Sequence, residues 1–185
     1  MSEEAEVFAF PASFAQRRLW FLDQIESGTA VYGIPQAFRL KGKLDVSLID
    51  KSLSEIVQRH ESLRTTFESE EGTPLQIVTE EVKFKTGVVD LLKEMADADH
   101  DARLAEAKKR AQQEAEESFD LEKGPLIRAT VYVVDAEDHV LFLNVHHIVC
   151  DGWSLALLFA ELSKLYTAYA AGKEGCHRGL HGRAD

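Results

Sequence analysis

The sequence predicts an α+β fold, a two-layer sandwich in which helices pack on a mixed or antiparallel sheet. Three observations carry that prediction. Short runs of period-two alternation occur in pairs joined by polar turns. Stretches with apolar residues at helical spacing fall between them. Strands and helices do not alternate regularly enough for a parallel βαβ fold. The 185 residues, 45% hydrophobic with 10 Phe, can build one core.

Ser13 to Ile25 reads as a helix, because Ser13 and Gln16 form a capping-box pair and Phe14, Arg17, Arg18, Phe21 and Ile25 recur at helical spacing. Trp20 and Phe21 are expected in the core, and Arg17 and Arg18 in helix-face salt bridges. Gly28 and Gly33 bracket a turn, and Gln36 to Lys41 alternates as a strand. Asp45 is a candidate N-cap for a helix to about Arg59, with Leu48, Leu53, Ile56 and Val57 buried. Arg64 to Glu68 and Pro74 to Val78 flank Glu70-Glu71-Gly72-Thr73 as a hairpin, and Val82 to Val89 alternates as a further strand.

Asp99 to Glu117, rich in Ala, Glu, Lys and Gln, reads as a surface helix with a narrow apolar face. Leu126 to Val134 and His139 to His146 form a second hairpin around Asp135-Ala136-Glu137-Asp138. Trp153 to Ala170 carries Leu155, Leu158, Phe159, Leu162, Leu165, Tyr166 and Tyr169 at helical spacing and is the strongest helix of the chain. After Gly172 periodicity is lost, so residues 173–185 read as an irregular tail to a unit spanning 1–172.

Composition excludes several classes of function. Thirty-two acidic against 21 basic residues give a net charge of −11, with no basic stripe for nucleic acid or an anionic membrane. No apolar run approaches the ~20 residues that span a bilayer, and Met1-Ser2-Glu3-Glu4 lacks a signal-peptide signature. The two cysteines, Cys150 and Cys176, have no framework spacing and suit a reducing, cytoplasmic setting.

Chemistry concentrates in His146-His147-Ile148-Val149-Cys150-Asp151-Gly152, between the last strand and the last helix. Alternation places Leu141, Leu143 and Val145 on one face with His147, and Phe142, Asn144 and His146 on the other. The two imidazoles therefore point to opposite sides. Paired histidines at a strand end are also common structural features, and Asp-Gly is a common turn. The heptapeptide alone leaves both readings level. No metal site is expected, since adjacent histidines rarely share an ion and no second ligand cluster has the right spacing. Cys176, His177 and His181 fall in the aperiodic tail.

His146-His147-Ile148-Val149-Cys150-Asp151-Gly152-Trp153-Ser154 resembles the HHxxxDG signature of condensation domains of nonribosomal peptide synthetases. Ser13-Phe14-Ala15-Gln16-Arg17-Arg18-Leu19-Trp20-Phe21-Leu22 resembles their first motif, SxAQxRLWxL, and Arg59-His60-Glu61-Ser62-Leu63-Arg64-Thr65-Thr66-Phe67 their second, RHExLRTxF. The resemblance implies a chloramphenicol-acetyltransferase-like lobe, the N-terminal and histidine-bearing one of two that enclose a tunnel. It implies amide-bond formation between carrier-bound groups in secondary-metabolite and antibiotic biosynthesis. The implied partners are donor and acceptor peptidyl carrier domains, an adenylation domain and the missing C-terminal lobe. No cofactor is bound directly, since the phosphopantetheine arms belong to the carriers.

By the same resemblance His147 is the catalytic or amine-positioning residue and His146 its support. Asp151 is structural, with Arg64 as its expected ion-pair partner. Gly152 and the amides opening the next helix lie where an oxyanion could be stabilised. His60 and Ser154 are expected in the active-site wall. The first motif is closer to the L-donor subtype. An epimerisation lobe, another HHxxxDG acyltransferase and a non-catalytic carrier-docking lobe are the alternatives, the RHExLRTxF match favouring condensation. A lobe without its partner is expected to be inactive.

Overall fold

The computed structural model describes residues 7–26 and 28–173. The site is carried by strand β7 (Asp138–His146), every residue of which is buried. It lies inside a four-stranded sheet of order β2-β7-β6-β5, formed with β2 (Gly33–Lys41), β6 (Ile127–Asp135) and β5 (Gly87–Asp90). β2 and β6 run antiparallel to β7, and β5 runs parallel to β6. A second sheet, of order β1-β4-β3, joins β1 (Val7–Pro11), β4 (Thr73–Thr79) and β3 (Thr65–Glu70). The helices are α1 (Phe14–Ile25), α2 (Val46–Arg59), the short α3 (Leu91–Glu94), α4 (His100–Ala115) and α5 (Gly152–Ala170).

Alternation along β6 and β7 divides the core in two. Ile127, Ala129, Val131, Leu141, Leu143 and Val145 face α2 and α5, meeting Leu53, Ile56, Leu158 and Leu162. Tyr132, Val134, Val140 and Phe142 face the other way onto Leu91 of α3 and Leu104, Ala107 and Ala111 of α4. The α+β class, with helices packed on open mixed sheets, is as expected, and α3 and α4 add a helical layer on the far face. Burying this much apolar surface, at about 25 cal/mol per Å², is what holds the sheet between its helices.

Several elements differ from expectation. β1 was not foreseen. All five of its residues are exposed, and only its antiparallel pairing with β4 makes it a strand. The alternating run from Val82 is a strand only over Gly87–Asp90. Residues 80–86 instead hang from α2. Gln58 Nε2 donates to the Glu80 carbonyl at 2.7 Å, Ser54 Oγ to that of Phe84 at 3.3 Å, and Asp50 Oδ1 accepts from Thr86 N at 2.6 Å. The alternation did mark burial, since Val82 and Phe84 pack on the main core. Phe21 is 60% exposed and outside the core, whereas Trp20 is buried. Neither Arg17 nor Arg18 forms an ion pair among the described residues. Cys176, His177, His181 and nearly all of the expected tail lie outside the described residues.

Candidate active site

Three pieces of backbone converge at the end of β7. The strand stops at His146, where the main chain turns through His147–Val149 before α5 begins. His147 N–H donates to the carbonyl of Tyr32 at 2.8 Å, which ties the turn to the residue just before β2. His146 N–H donates to the Leu126 carbonyl at 2.9 Å. The α1 segment forms the opposite side. Its capping box is complete, with Ser13 Oγ accepting from Gln16 N at 3.2 Å and Gln16 Oε1 from Ser13 N at 2.8 Å.

Adjacent in sequence, the histidines occupy different media. His146 is 3% exposed, with the edge of the Phe119 ring 5.7 Å away between centroids and the Tyr32 ring at 6.2 Å. Its Nδ1 accepts from Ile148 N at 3.1 Å, so the neutral ring carries its proton on Nε2. Desolvation, then the neighbouring His147, pushes its pKa down to about 4. His147 is exposed and lines an open groove of about 770 Å³. Phe14, Arg18, Leu22, Tyr32, Asp151 and Ser154 share that groove. The expectation that the imidazoles take opposite sides holds, although His147 does so from the turn rather than from the strand.

The expected Asp151–Arg64 ion pair does not form. Asp151 caps α5, its Oδ1 accepting from Ser154 N at 2.7 Å, and this bond leads the effects that hold its carboxyl below the usual range. Arg64 is engaged elsewhere, donating through Nη1 to the Thr79 carbonyl and standing 3.5 Å from Glu61 Oε1 through Nη2. A short carboxylate at a helix start finds its nearest amide more readily than a side chain on another element. Gly152 has ordinary negative φ and open space where a Cβ would sit, so its own fold does not require glycine.

His60 and Ser154 part company. Ser154 lines the His147 groove and also a cavity of about 90 Å³ lined by Val149, Cys150 and the start of α5; His60 lines only the latter. His60 Nε2 lies 2.9 Å from Oε2 of the buried Glu161, clasping the end of α2 to α5. Cys150 is buried, and desolvation pushes its thiol up to about 11, away from nucleophilic use. Tyr32 is the residue at the site that sequence reasoning missed. It lay in the stretch read only as a turn between Gly28 and Gly33, and its carbonyl meets His147 across more than a hundred residues of chain.

A mixed sheet backed by helices is the fold of solved condensation domains. The starter condensation domain of rhizomide synthetase RzmA superposes with a TM-score of 0.81 at 22% identity, over 93% of this chain and 42% of that one. The first condensation domain of the CDA synthetase gives 0.80 at 22%, over 91% and 41%. The chain belongs to the condensation domain family, whose model matches residues 8–177. Among curated proteins it is 45% identical over 163 residues to a linear gramicidin synthase polypeptide of Brevibacillus parabrevis, covering 88% of this chain and 2% of that protein. It is 42% identical over 163 residues to a dimodular nonribosomal peptide synthase of Bacillus subtilis (strain 168), covering 88% and 6%. Chondramide synthase cmdD of Chondromyces crocatus matches at 40% over 164 residues, covering 88% and 4%. The chain thus spans a few per cent of these relatives and about two fifths of the solved domains.

Proposed function

We propose that this chain is the N-terminal, histidine-bearing lobe of a condensation domain that joins a carrier-bound aminoacyl group to a carrier-bound acyl or peptidyl thioester, with an L-configured donor. The observation that carries the reading is the split between the histidines, His147 open to a groove and His146 buried and neutral beneath it. Support comes from family membership and from relatives whose names are those of peptide synthetases. The other wall of the tunnel is a C-terminal lobe, so the isolated lobe is inactive. The thioesters arrive on the phosphopantetheine arms of donor and acceptor carriers, loaded by adenylation domains of the same cytoplasmic synthetase.

The reaction needs little help in making its nucleophile. An α-amine with a pKa near ~7.7–8.0 is already about 10–20% neutral at pH 7. Holding that amine against the thioester carbonyl lowers the barrier by several kcal/mol, and removing its surplus proton adds about 10²–10⁴-fold. His147 orients the amine and accepts that proton as the carbonyl carbon becomes tetrahedral; collapse of that species breaks the C–S bond, and the donor arm leaves as a thiolate that takes the proton back from His147. His146 sets the turn that carries it, and Asp151 fixes the first turn of α5. Ser154 is a wall residue of the groove, His60 and Arg64 are structural ties, and Gly152 leaves room for substrate.

The deciding measurement is peptide formation from two loaded carriers by the longer protein that contains this chain, wild type against His147→Ala and His147→Gln. Both variants should lose activity to a similar depth while still binding loaded carriers. Near-normal rates in both would refute the role. Peptide formation by the 185-residue chain alone would refute the dependence on a second lobe.

A further inference from the structure

We infer that Gly33 and Asn144 are positioning residues for His147, an inference that rests on the reading of His147 above. Asn144 is the single amide in the Leu141–Val145 stretch of β7. Its exposure is 0%, and neither its Oδ1 nor its Nδ2 has a hydrogen-bond partner among the described residues. A buried amide left in that state destabilises the fold relative to an apolar side chain of the same shape. What it does instead is pack. A Cβ added at Gly33 would stand 2.9 Å from Asn144 Oδ1 and 3.2 Å from Nδ2, closer than side chains tolerate. Asn144 thus forms a stop against which the bare Cα of Gly33 rests.

Gly33 ends a tight turn. Its N–H donates to the Ala30 carbonyl at 3.0 Å, and the carbonyl of the intervening Tyr32 accepts from His147 N at 2.8 Å. Gly33 is also the residue opposite His146 in the β2–β7 register. The turn is therefore fixed on one side by the stop and delivers its hydrogen bond to His147 on the other. The Asn144 side chain cannot swing away cheaply, since it is short, fully buried and rooted in the central strand. Any Cβ at residue 33 displaces the turn instead, carrying Tyr32 and the His147 backbone with it. A displacement near ~1 Å at a catalytic group costs up to about 10²-fold in rate.

The test uses the longer protein for kinetics and the 185-residue chain for NMR of the His147 ring. Gly33→Ala should lower kcat about 10–100-fold with little change in the KM for the acceptor carrier, and should shift the His147 resonances. Gly33→Ala combined with Asn144→Ser, which removes the two closest colliding atoms and leaves only the Ala30 carbonyl oxygen at 3.3 Å, should recover most of the lost kcat and return the resonances. Wild-type kcat and unshifted resonances in Gly33→Ala, or a double variant no better than the single one, would overturn the inference. If Gly33→Ala does not fold, Asn144→Ser decides alone: it should lower kcat several-fold and shift the His147 resonances, and unchanged values of both would overturn the inference. His147→Ala in the same assay separates the two ideas. A normal rate there defeats the reading of His147 itself, whereas a dead His147→Ala beside a fully active Gly33→Ala defeats only the positioning.

Discussion

Burial of His146 makes the chain acid-sensitive in a way that a single substitution isolates. The folded ring titrates near 4, whereas an unfolded chain's histidine titrates at its ordinary value near ~6.5. Between those values the unfolded state holds a proton that the folded state refuses, so stability falls as pH drops through about 6.5. The linkage relation gives about 2 kcal/mol lost at pH 5 and about 3 kcal/mol near pH 4. With 3% of the residue exposed, solvent does not screen this effect appreciably.

The sign has a structural cause. Protonation turns Nδ1 from an acceptor into a donor facing the Ile148 N–H, so the turn that presents His147 loses its hydrogen bond as the charge appears. Urea unfolding of wild type and His146→Gln at pH 7.5, 6 and 5 measures the difference. Carboxylate protonation is common to both proteins and cancels. Wild type should lose about 2 kcal/mol more than the variant between pH 7.5 and 5. Parallel stability curves, or an NMR midpoint for His146 at or above pH 6, would refute the reasoning.

Two further outcomes follow from the ion pairs. Arg64 and Asp151 have separate partners, so a double-mutant cycle with Arg64→Met and Asp151→Asn should show melting-temperature shifts that simply add; marked non-additivity would restore the pair expected from sequence. At the far end of the sheet Asp138 binds both Arg39 and, at 2.8 Å, His100, and the Asp138 hydrogen bond raises the His100 pKa above its ordinary value. That contribution is full below about 6.5 and is lost as pH rises through the raised value, so from pH 6 to 8.5 the melting-temperature advantage of wild type over His100→Gln should shrink, the oppositely signed His146 contribution being common to both and cancelling.

What could be read from the sequence was what neighbouring residues settle among themselves. The Ser13–Gln16 box is an i, i+3 exchange and is written in four letters. The periodicity of α5 and the short turn between β6 and β7 are local in the same sense. The missed features depend on distant partners. β1 has no buried residue of its own, and segment 80–86 takes its bonds from α2 side chains that only the fold brings near. Arg64 found a carbonyl on β4, an acceptor that no side-chain pattern advertises. Tyr32, whose contribution to the site is a main-chain oxygen, is invisible for the same reason.

The adjacency of the two histidines, level evidence in the heptapeptide, acquires a physical purpose from this division. Two neighbouring imidazoles in the same medium would repel each other on protonation and titrate as a coupled pair. Ending the strand at His146 buries one ring among Phe119 and Tyr32 and leaves the other in the groove. The buried ring stays neutral well below pH 7, so residue 146 places no positive charge beside the exposed His147 ring. Its neutrality also supplies the acceptor that shapes the 146–149 turn. The same burial that keeps the His146 ring neutral is therefore what separates it from the exposed imidazole beside it.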